Sequence, residues 1–351
     1  MQHKFILMSL IATASMSAEE PSASCPIQEP NLIGHHQIQD GYGITISGSA
    51  MYWQPKENGL DFVIKNDGAV GVNNNGQVKQ IPFDWSWGGK VELDYQVPKK
   101  MDIGLSWTYL SSHGKTTVSA TLPETLFSTW SIPTGSSISP VAREQLARAH
   151  ANLKLNLIDL GIGTTFSPRP FLDITPFIDL SSAWIHQHFH LILSGGPGLN
   201  GSTTLDDSIH LKNNFWGIGP KIGLNTLWNL GYGFGICGNF NGSLLYGLFE
   251  ISQSERTTFI GLSPATNYLD ISQNTFHLAT FNLDFFLGLR WDHMFCNNRY
   301  HLLLEAGWEN LLFFNQNQLM RFPSQVNAGL NSSQKGDLSM QGGTVRAAFT
   351  F

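Results

Sequence analysis

The carboxy-terminal stretch Gly336–Phe351, GDLSMQGGTVRAAFTF, decides the fold. Successive side chains of a β-strand point to opposite faces. Counting back from the terminus, one face is apolar or small: Phe351, Phe349, Ala347, Val345 and Gly343. The other face is small, polar or cationic: Thr350, Ala348, Arg346 and Thr344. Leu338 and Met340 fall in the opposite phase to Phe351, so we expect a β-bulge at Gly342–Gly343 that restores the phase.

The amino-terminal end has the pattern of a secretory signal peptide over Met1–Ser17. Lys4 supplies a positive charge, Phe5–Ala14 is a short apolar run, and small residues follow it. The run is too short for a membrane-spanning helix. The alternative is an unstructured apolar start in a protein that is not exported. We expect a signal peptide at 1–17, a periplasmic lead-in at 18–40 and one transmembrane barrel at 41–351.

The composition excludes several classes of protein. Charged residues make up 13% of the chain and aromatic residues 12%, with a mean hydropathy of −0.08, whereas ordinary soluble domains carry about 25% charged residues. No run of about 18 apolar residues follows the signal, so no membrane-spanning helix is predicted. A closed barrel spans a membrane without such a run, because half of its residues face the lumen. The net charge of −6 argues against a nucleic-acid binder.

The clearest strand pattern lies at 85–97. Trp85 and Trp87 share one face with apolar residues, while Lys90, Glu92 and Asp94 alternate on the other. Three charges would be costly in an apolar core but are expected in a watery lumen. We therefore predict that the apolar residues of each strand face lipid and that the polar residues face the lumen.

This rule predicts an all-β, antiparallel, up-and-down transmembrane barrel of about ten strands: 41–53, 85–97, 102–110, 147–166, 172–184, 214–225, 232–249, 276–291, 299–313 and 337–351. The fourth strand needs a bulge near Ile158 to keep its apolar residues outward. Residues 143–153, REQLARAHANL, leave a local helix as an alternative. A paired element inside 54–84 or 111–146 would raise the number of strands to twelve or more.

Short and long connections alternate between these strands. The short ones are at 98–100, 167–170, 226–230 and 292–298, and the long ones at 54–84, 111–146, 186–213, 250–275 and 314–336. Short periplasmic turns and long outer loops are typical of bacterial outer-membrane barrels with an even number of strands.

Three further stretches carry a family resemblance: PFLDITPFIDLSSAWIHQHF (170–189), FWGIGPKIGLNTLWNLGYGFGICGNFNGSLLYGLFEI (215–251) and LGLRWDHMFCNNRYHLLLEAGWENLLFFNQNQL (287–319). Together with the terminal strand they resemble the major outer membrane proteins of Legionella and the chlamydia-like bacteria. The resemblance implies an abundant surface barrel that acts as a porin, often cross-linked through cysteines, in the outer membrane. A terminal strand ending in Phe also resembles the signal read by the barrel-assembly machinery, which implies that role for Phe349 and Phe351.

The three cysteines cannot all pair within the chain. Cys25 lies in the lead-in and Cys296 in a predicted periplasmic turn, where an oxidising compartment permits disulfides. We expect that these two cysteines can pair with each other or with neighbouring molecules. Cys237 is predicted inside the barrel as a free thiol.

We predict no metal, no cofactor and no catalytic residue. His186, His188 and His190 share the parity of Trp184, so we expect them on an exposed rim rather than around a metal. Asp206, Asp207 and His210 resemble the acidic and histidine residues of barrel-rim proteases, and we interpret them as a solvated loop. The predicted pore-lining residues are Lys90, Glu92, Asp94, Arg148, Lys154, Asp173, Asp179, Lys221, Asp284, Arg290, Glu305, Glu309 and Arg346.

Two functions follow from this pattern. The polar inner face predicts a general diffusion porin for small hydrophilic solutes, weakly ion-selective because the inward charges nearly cancel. The alternative is a structural or adhesive surface protein with a filled lumen, since barrels of about eight strands are filled by their side chains. The expected partners are outer-membrane lipid, the assembly machinery, further copies of the chain and host surface molecules.

Overall fold

The computed structural model describes residues 43–66, 76–97, 101–121, 123–130, 145–195, 205–259, 266–296, 299–322, 330–333 and 335–351. Every regular element in these ranges is a β-strand. None of the described segments forms a helix long and apolar enough to cross a membrane. The predicted signal peptide and lead-in lie outside the described residues and stay predictions.

The strands are β1 (Gly43–Glu57), β2 (Asp61–Asn66), β3 (Gly76–Gln80), β4 (Ser86–Val97), β5 (Met101–Ser119), β6 (Thr125–Ser128), β7 (Leu146–Thr164), β8 (Phe166–Arg169), β9 (Leu172–Ser194), β10 (Leu205–Gly231), β11 (Phe234–Phe259), β12 (Thr266–Phe295), β13 (Tyr300–Asn317), β14 (Met320–Arg321), β15 (Ser332–Ser333) and β16 (Gly336–Thr350). The local helix considered at 143–153 is wrong where the structure describes it, because Leu146 onwards is strand.

Ten of these strands close into an antiparallel barrel, which confirms the predicted fold. Their order is β1, β4, β5, β7, β9, β10, β11, β12, β13 and β16, and β16 returns to β1. The closing seam is continuous from Thr45↔Thr350 to Glu57↔Leu338. Backbone bonds link Ile44 and Phe351 in both directions, at 2.9 and 3.0 Å. Short β8 adds an extra strand beside β9.

The other short strands are not part of the barrel wall. β2, β3 and β6 form a three-stranded sheet, called here the small sheet, and β14 pairs with β15. Paired elements therefore do occur inside 54–84 and 111–146, but they leave the number of barrel strands at ten.

Three predicted turns differ from the structure: residues 167–169 belong to β8, residues 292–295 belong to β12, and the turn predicted at 226–230 is displaced. Residues 226–230 continue β10, and the chain reverses instead at Gly231, Tyr232 and Gly233. These three residues have φ values of 100°, 55° and 79°. Two glycines reduce the steric cost of this left-handed backbone. Several predicted outer loops are also largely strand, since β9 runs to Ser194 and β12 begins at Thr266.

Both predicted bulges are wrong. β16 pairs with β1 and β13 without a register shift at Gly342–Gly343, and β7 pairs regularly with β5 and β9 through Ile158. Leu338 and Met340 therefore face the barrel interior, where both are fully buried. Side chains alternate regularly between the two faces along the whole of β7 and β16. What changes along each strand is the environment that the two faces meet.

The polarity of the barrel inverts along its axis. Toward the short turns, Ile158 and Leu160 on β7 are exposed outward while Asp159 is buried inward. Toward the long connections, Leu155 is buried inward while Lys154 is exposed outward. An aromatic girdle marks the change: the Tyr52 ring contacts those of Trp85 and Trp87, and the Trp85 ring contacts that of Trp308. We call the two ends of the barrel the turn end and the loop end.

Candidate functional site: a luminal cavity under an apolar plug

A polar cavity of about 810 Å³ occupies the turn end of the barrel. We call it the luminal cavity. Eleven of the predicted inward residues line it: Lys90, Glu92, Asp94, Asp173, Asp179, Lys221, Asp284, Arg290, Glu305, Glu309 and Arg346. Side chains alternate without interruption between the two faces of each strand within the membrane, so every second residue points into the lumen. Whether they conduct ions stays a prediction.

Arg148 and Lys154 do not line the cavity, so their predicted position is wrong. Both are exposed on the outer face of β7, while Ala147, Leu153 and Leu155 on the other face are buried. The prediction assumed that an apolar face always meets lipid. Beyond the girdle the exterior meets water, so the apolar face turns inward and the cations outward.

Three further acidic residues and one histidine line the cavity: Asp102, Asp159, Asp292 and His301. Asp159 was not among the predicted lining residues, although the predicted outward direction of its neighbour Leu160 already implied an inward Asp159. The prediction of nearly cancelling charges is also wrong. The cationic residues in the lining are Lys90, Lys221, Arg290 and Arg346, and acidic residues clearly outnumber them.

Arg346 is the centre of the luminal charge network. Its guanidinium lies 2.7 Å from Glu92, 3.3 Å from Glu305 and 3.9 Å from Asp94. Its Nε donates to the Ser47 hydroxyl at 3.2 Å. Lys90 contacts the other oxygen of Glu92 at 2.7 Å. Opposite charges therefore pair across strands β4, β13 and β16, as partly desolvated charges require.

A second network lies across the lumen. Lys221 donates to Asp159 Oδ2 at 2.9 Å. On the neighbouring strands, Asn241 donates to Asn239 at 2.7 Å and to Asp284 at 3.0 Å. Together the two networks hold polar side chains of most barrel strands in fixed positions.

Replacing Arg346 by Ala is expected to destabilise the barrel by about 3 kcal/mol, because Glu92 and Glu305 would remain without their guanidinium. The measurement is the urea unfolding curve of the refolded protein in detergent micelles. The matched control is Arg148→Ala, which removes the same group from an exposed site and should change stability by less than about 0.5 kcal/mol. Equal losses in the two variants would contradict the assigned network.

The loop end of the barrel is filled by apolar side chains, called here the apolar plug. Inward residues of the barrel strands are at most 2% exposed: Met51, Trp53, Leu153, Leu155, Ile185, Phe189, Phe215, Phe249 and Phe313. Phe215 and Phe249 lie 4.6 Å apart between ring centroids, and Phe249 stacks on Phe276 at 5.5 Å. Side chains along an open water-filled pore would be accessible to water, and these are not.

The small sheet extends the plug. Leu60, Phe62, Val63 and Leu126 are at most 1% exposed. The segment after β3 also packs inward, where the Phe83 ring meets Phe189 edge-on at 6.4 Å. Apolar burial thus continues from the barrel wall into the sheet that packs against it.

Arg321, on β14, ties the small sheet to the β14–β15 pair. Its guanidinium stacks over the Trp130 ring at 4.5 Å and pairs with Asp61 at 2.8 Å. It also donates to the backbone oxygens of Gly59 and Asp61 at 3.1 and 2.9 Å. A planar guanidinium suits this combination of stacking and forked hydrogen bonding.

One carboxyl lies inside the plug. Glu57 is 7% exposed and accepts a 2.6 Å hydrogen bond from Gln187 Nε2. Asn213 donates to Gln187 Oε1 and to the Gln316 backbone oxygen, both at 2.8 Å. Burial raises the pKa of Glu57 to about 8, and the bond from Gln187 only partly offsets this. The side chains of the hydrogen-bonded group around Glu57, Gln187 and Asn213, are amides rather than cations. The neutral, protonated form of Glu57 is therefore favoured.

The histidines of β9 lie on the exterior, beyond the girdle. His186 and His188 are exposed and His190 is half-buried, on the outer face of β9. His190 stacks on His210 at 4.1 Å and lies 6.4 Å from His150. Within the described ranges, no three or more His, Cys, Asp or Glu side chains form a metal-binding group.

The acidic and histidine residues of β10 do not converge. Asp207 is buried on the inward face, whereas Asp206 and His210 are exposed on the outward face. The strand itself separates Asp207 from His210, and Asp206 lies four residues, about 13 Å, from His210 along the outer face.

The two cysteines that the structure describes differ in location and in bonding. Cys237 is a free, buried thiol inside the barrel. Cys296 follows β12 at the turn end and is disulfide-bonded. Cys25 lies outside the described residues.

A closed antiparallel barrel with an apolar belt, aromatic girdle and polar lumen defines an outer-membrane β-barrel protein. The family model described as "Legionella pneumophila major outer membrane protein precursor" matches residues 40–351, and the chain belongs to this family. The suspected family and the outer-membrane location are thereby confirmed. The turn end is accordingly periplasmic and the loop end lies at the cell surface.

Solved structures of other outer-membrane barrels are similar at low identity. The outer membrane protease OmpT of Escherichia coli is 13% identical, with 88% of this chain and 96% of that chain covered and a TM-score of 0.41. The toluene transporter TodX of Pseudomonas putida is 7% identical, covering 89% and 90%, with a TM-score of 0.27. A FadL homologue of Pseudomonas aeruginosa is 8% identical, covering 89% and 90%, with a TM-score of 0.26. Comparison with curated proteins finds no match.

Proposed function

We propose that this protein is a structural surface barrel of the outer membrane whose lumen is closed by the apolar plug. The observation that carries the proposal is the near-complete burial of inward side chains at the loop end, including Leu153, Phe189 and Phe249. A water-filled route would require those side chains to be accessible. The exterior beyond the girdle is polar, so the same strands present a water-exposed barrel at the cell surface.

The partners proposed for this surface are host surface molecules and further copies of the chain. Insertion is proposed to depend on the assembly machinery reading the terminal aromatics. Phe349 and Phe351 are 43% and 49% exposed on the outer face of the closing strand, in reach of a recognising protein. No catalytic role is proposed, since Asp207 and His210 point to opposite sides of the barrel wall.

A diffusion porin for small hydrophilic solutes is the second candidate, favoured by the luminal cavity. In that case the acidic lining would prefer cations over anions. Replacing Asp284 or Glu305 by Ala would shift the selectivity toward anions, whereas the lipid-facing change Phe285→Ala would leave it unaltered.

Planar-bilayer recording tests the two candidates. The refolded barrel is expected to give no steady conductance steps, although heat-modifiable mobility and vesicle co-flotation show that it is folded and inserted. The triple variant Phe189→Ala/Phe215→Ala/Phe249→Ala removes three plug rings and is expected to introduce conductance. Regular conductance steps from the unaltered protein, proportional to the amount inserted, would favour the porin over the closed barrel.

A further inference from the structure

A concentration of positive charge lies on one side of the barrel exterior, just beyond the girdle. We call it the cationic band: Lys115, Arg148, Lys154 and Lys212, with the histidines at 150, 186, 188, 190 and 210. Cross-strand pairing brings the members together, as Lys154↔His186 and Lys212↔His188 show. The row Lys115↔His150↔His190↔His210 crosses four neighbouring strands.

The band has few counter-charges. Lys212 lies 3.6 Å from Glu250. Lys115, Arg148 and Lys154 are exposed, and none of them has an ion-pair partner among the residues that the structure describes. Like charges so close together are destabilising unless an anion joins them.

The lowered pKa values of His188 and His190 are consistent with this crowding of positive charge. Burial, together with Lys212, His186 and Lys154, lowers the pKa of His188. Burial and the neighbouring His210 and His150 lower the pKa of His190. An anion bound among these imidazoles would relieve the repulsion between their charged forms.

The position of the band indicates which anion it meets. Directly toward the membrane from Lys154 and His186, the next outward residues on β9 and β10 are Trp184 and Trp216. Two residues along a strand span about 6.6 Å, and aromatic girdles mark the lipid headgroup level. Below the tryptophans, Ile158 and Ile218 are 39% and 41% exposed on the lipid-facing exterior.

We propose that the cationic band binds the phosphate groups of outer-leaflet glycolipid, while the apolar exterior below it contacts the acyl chains. The band supplies guanidinium and ammonium donors for charge-assisted hydrogen bonds to phosphate oxygens. A phosphorylated lipid satisfies both surfaces at once, whereas a soluble anion would use only the upper one. This inference does not depend on whether the lumen is open or closed.

The test is equilibrium binding of fluorescent lipid A to the full-length refolded barrel in uncharged detergent micelles. Each cation near an anionic lipid contributes about fivefold in affinity. The double variant Arg148→Gln/Lys154→Gln is therefore expected to bind lipid A about 25-fold more weakly. The matched control is Lys56→Gln, an exposed lysine on β1 beyond Tyr52 but outside the band, which should leave binding within about twofold.

Three comparisons decide the outcome. Dephosphorylated lipid A should bind the unaltered protein much more weakly, and inorganic phosphate at equal concentration should not displace lipid A. Equal affinity for both lipids, or an equal loss in Lys56→Gln, would overturn the proposal. Displacement by inorganic phosphate would assign the band to soluble anions instead. If the double variant lacks heat-modifiable mobility, Lys115→Gln/Lys212→Gln replaces it with the same expected loss.

Discussion

Replacing Phe189 by Ala is expected to lower the free energy of unfolding by about 3 to 5 kcal/mol, because the truncated ring leaves a cavity that the surrounding barrel cannot close. Phe189 is 2% exposed and meets the Phe83 ring edge-on. Its neighbours come from barrel strands on one side and from the segment next to the small sheet on the other. The measurement is the urea unfolding curve of the refolded protein at constant detergent concentration.

The control is Phe285→Ala, a residue on the lipid-facing exterior that is 47% exposed. Detergent fills the space that this ring leaves, so the cavity contribution is absent and the loss should be clearly smaller. If both substitutions cost the same, the interior around Phe189 is as fluid as the detergent shell. The apolar plug would then not be a packed core.

The membrane-spanning part of the barrel was predictable because its chemistry is locally periodic. In β4, Lys90, Glu92 and Asp94 alternate with apolar residues, and their environment depends only on the face that they occupy. The order of strands followed from the alternation of short and long connections. Strand β16 was predicted from the alternation of apolar and polar residues between Gly343 and Thr350.

The loop end was not predictable with the same rule, because the rule equates an apolar face with lipid. In β7 the apolar face changes sides between Leu157 and Ile158, although the strand is regular. From that change a bulge near Ile158 was predicted. The change marks instead the level at which lipid gives way to water outside, with apolar packing inside. The same error placed Arg148 and Lys154 in the lumen.

The contents of the lumen depend on pairing between distant strands. Arg346 meets Glu92 and Glu305 only because β16 lies near β4 across β1 and beside β13. Cross-strand register of this kind is not encoded within any one segment. The small sheet could not be predicted for the same reason, since β2 and β6 pair although they come from two different predicted loops.

Glu57→Gln is expected to remove a large part of the pH dependence of stability. The folded protein keeps the Glu57 proton up to a pKa of about 8, whereas the unfolded chain releases it near the ordinary glutamate pKa of 4.5. Between these values the folded state binds more protons, so the stability contribution is complete below about pH 4.5 and falls as the pH rises. At 1.36 kcal/mol per pKa unit, the loss by pH 8 is roughly 5 kcal/mol.

The measurement is the urea unfolding midpoint at pH 5 and pH 9 for both proteins. Gln keeps the shape of the side chain and can still accept the hydrogen bond from Gln187, but it cannot ionise. The variant should therefore match the unaltered protein at pH 5 and exceed it at pH 9. Glu250→Gln, on the outer face of β11 beside Lys212, is the control and should keep the original pH slope. A Glu57→Gln variant with that same slope would mean that Glu57 titrates alike in the folded and unfolded chain, and that its surroundings in the plug admit water.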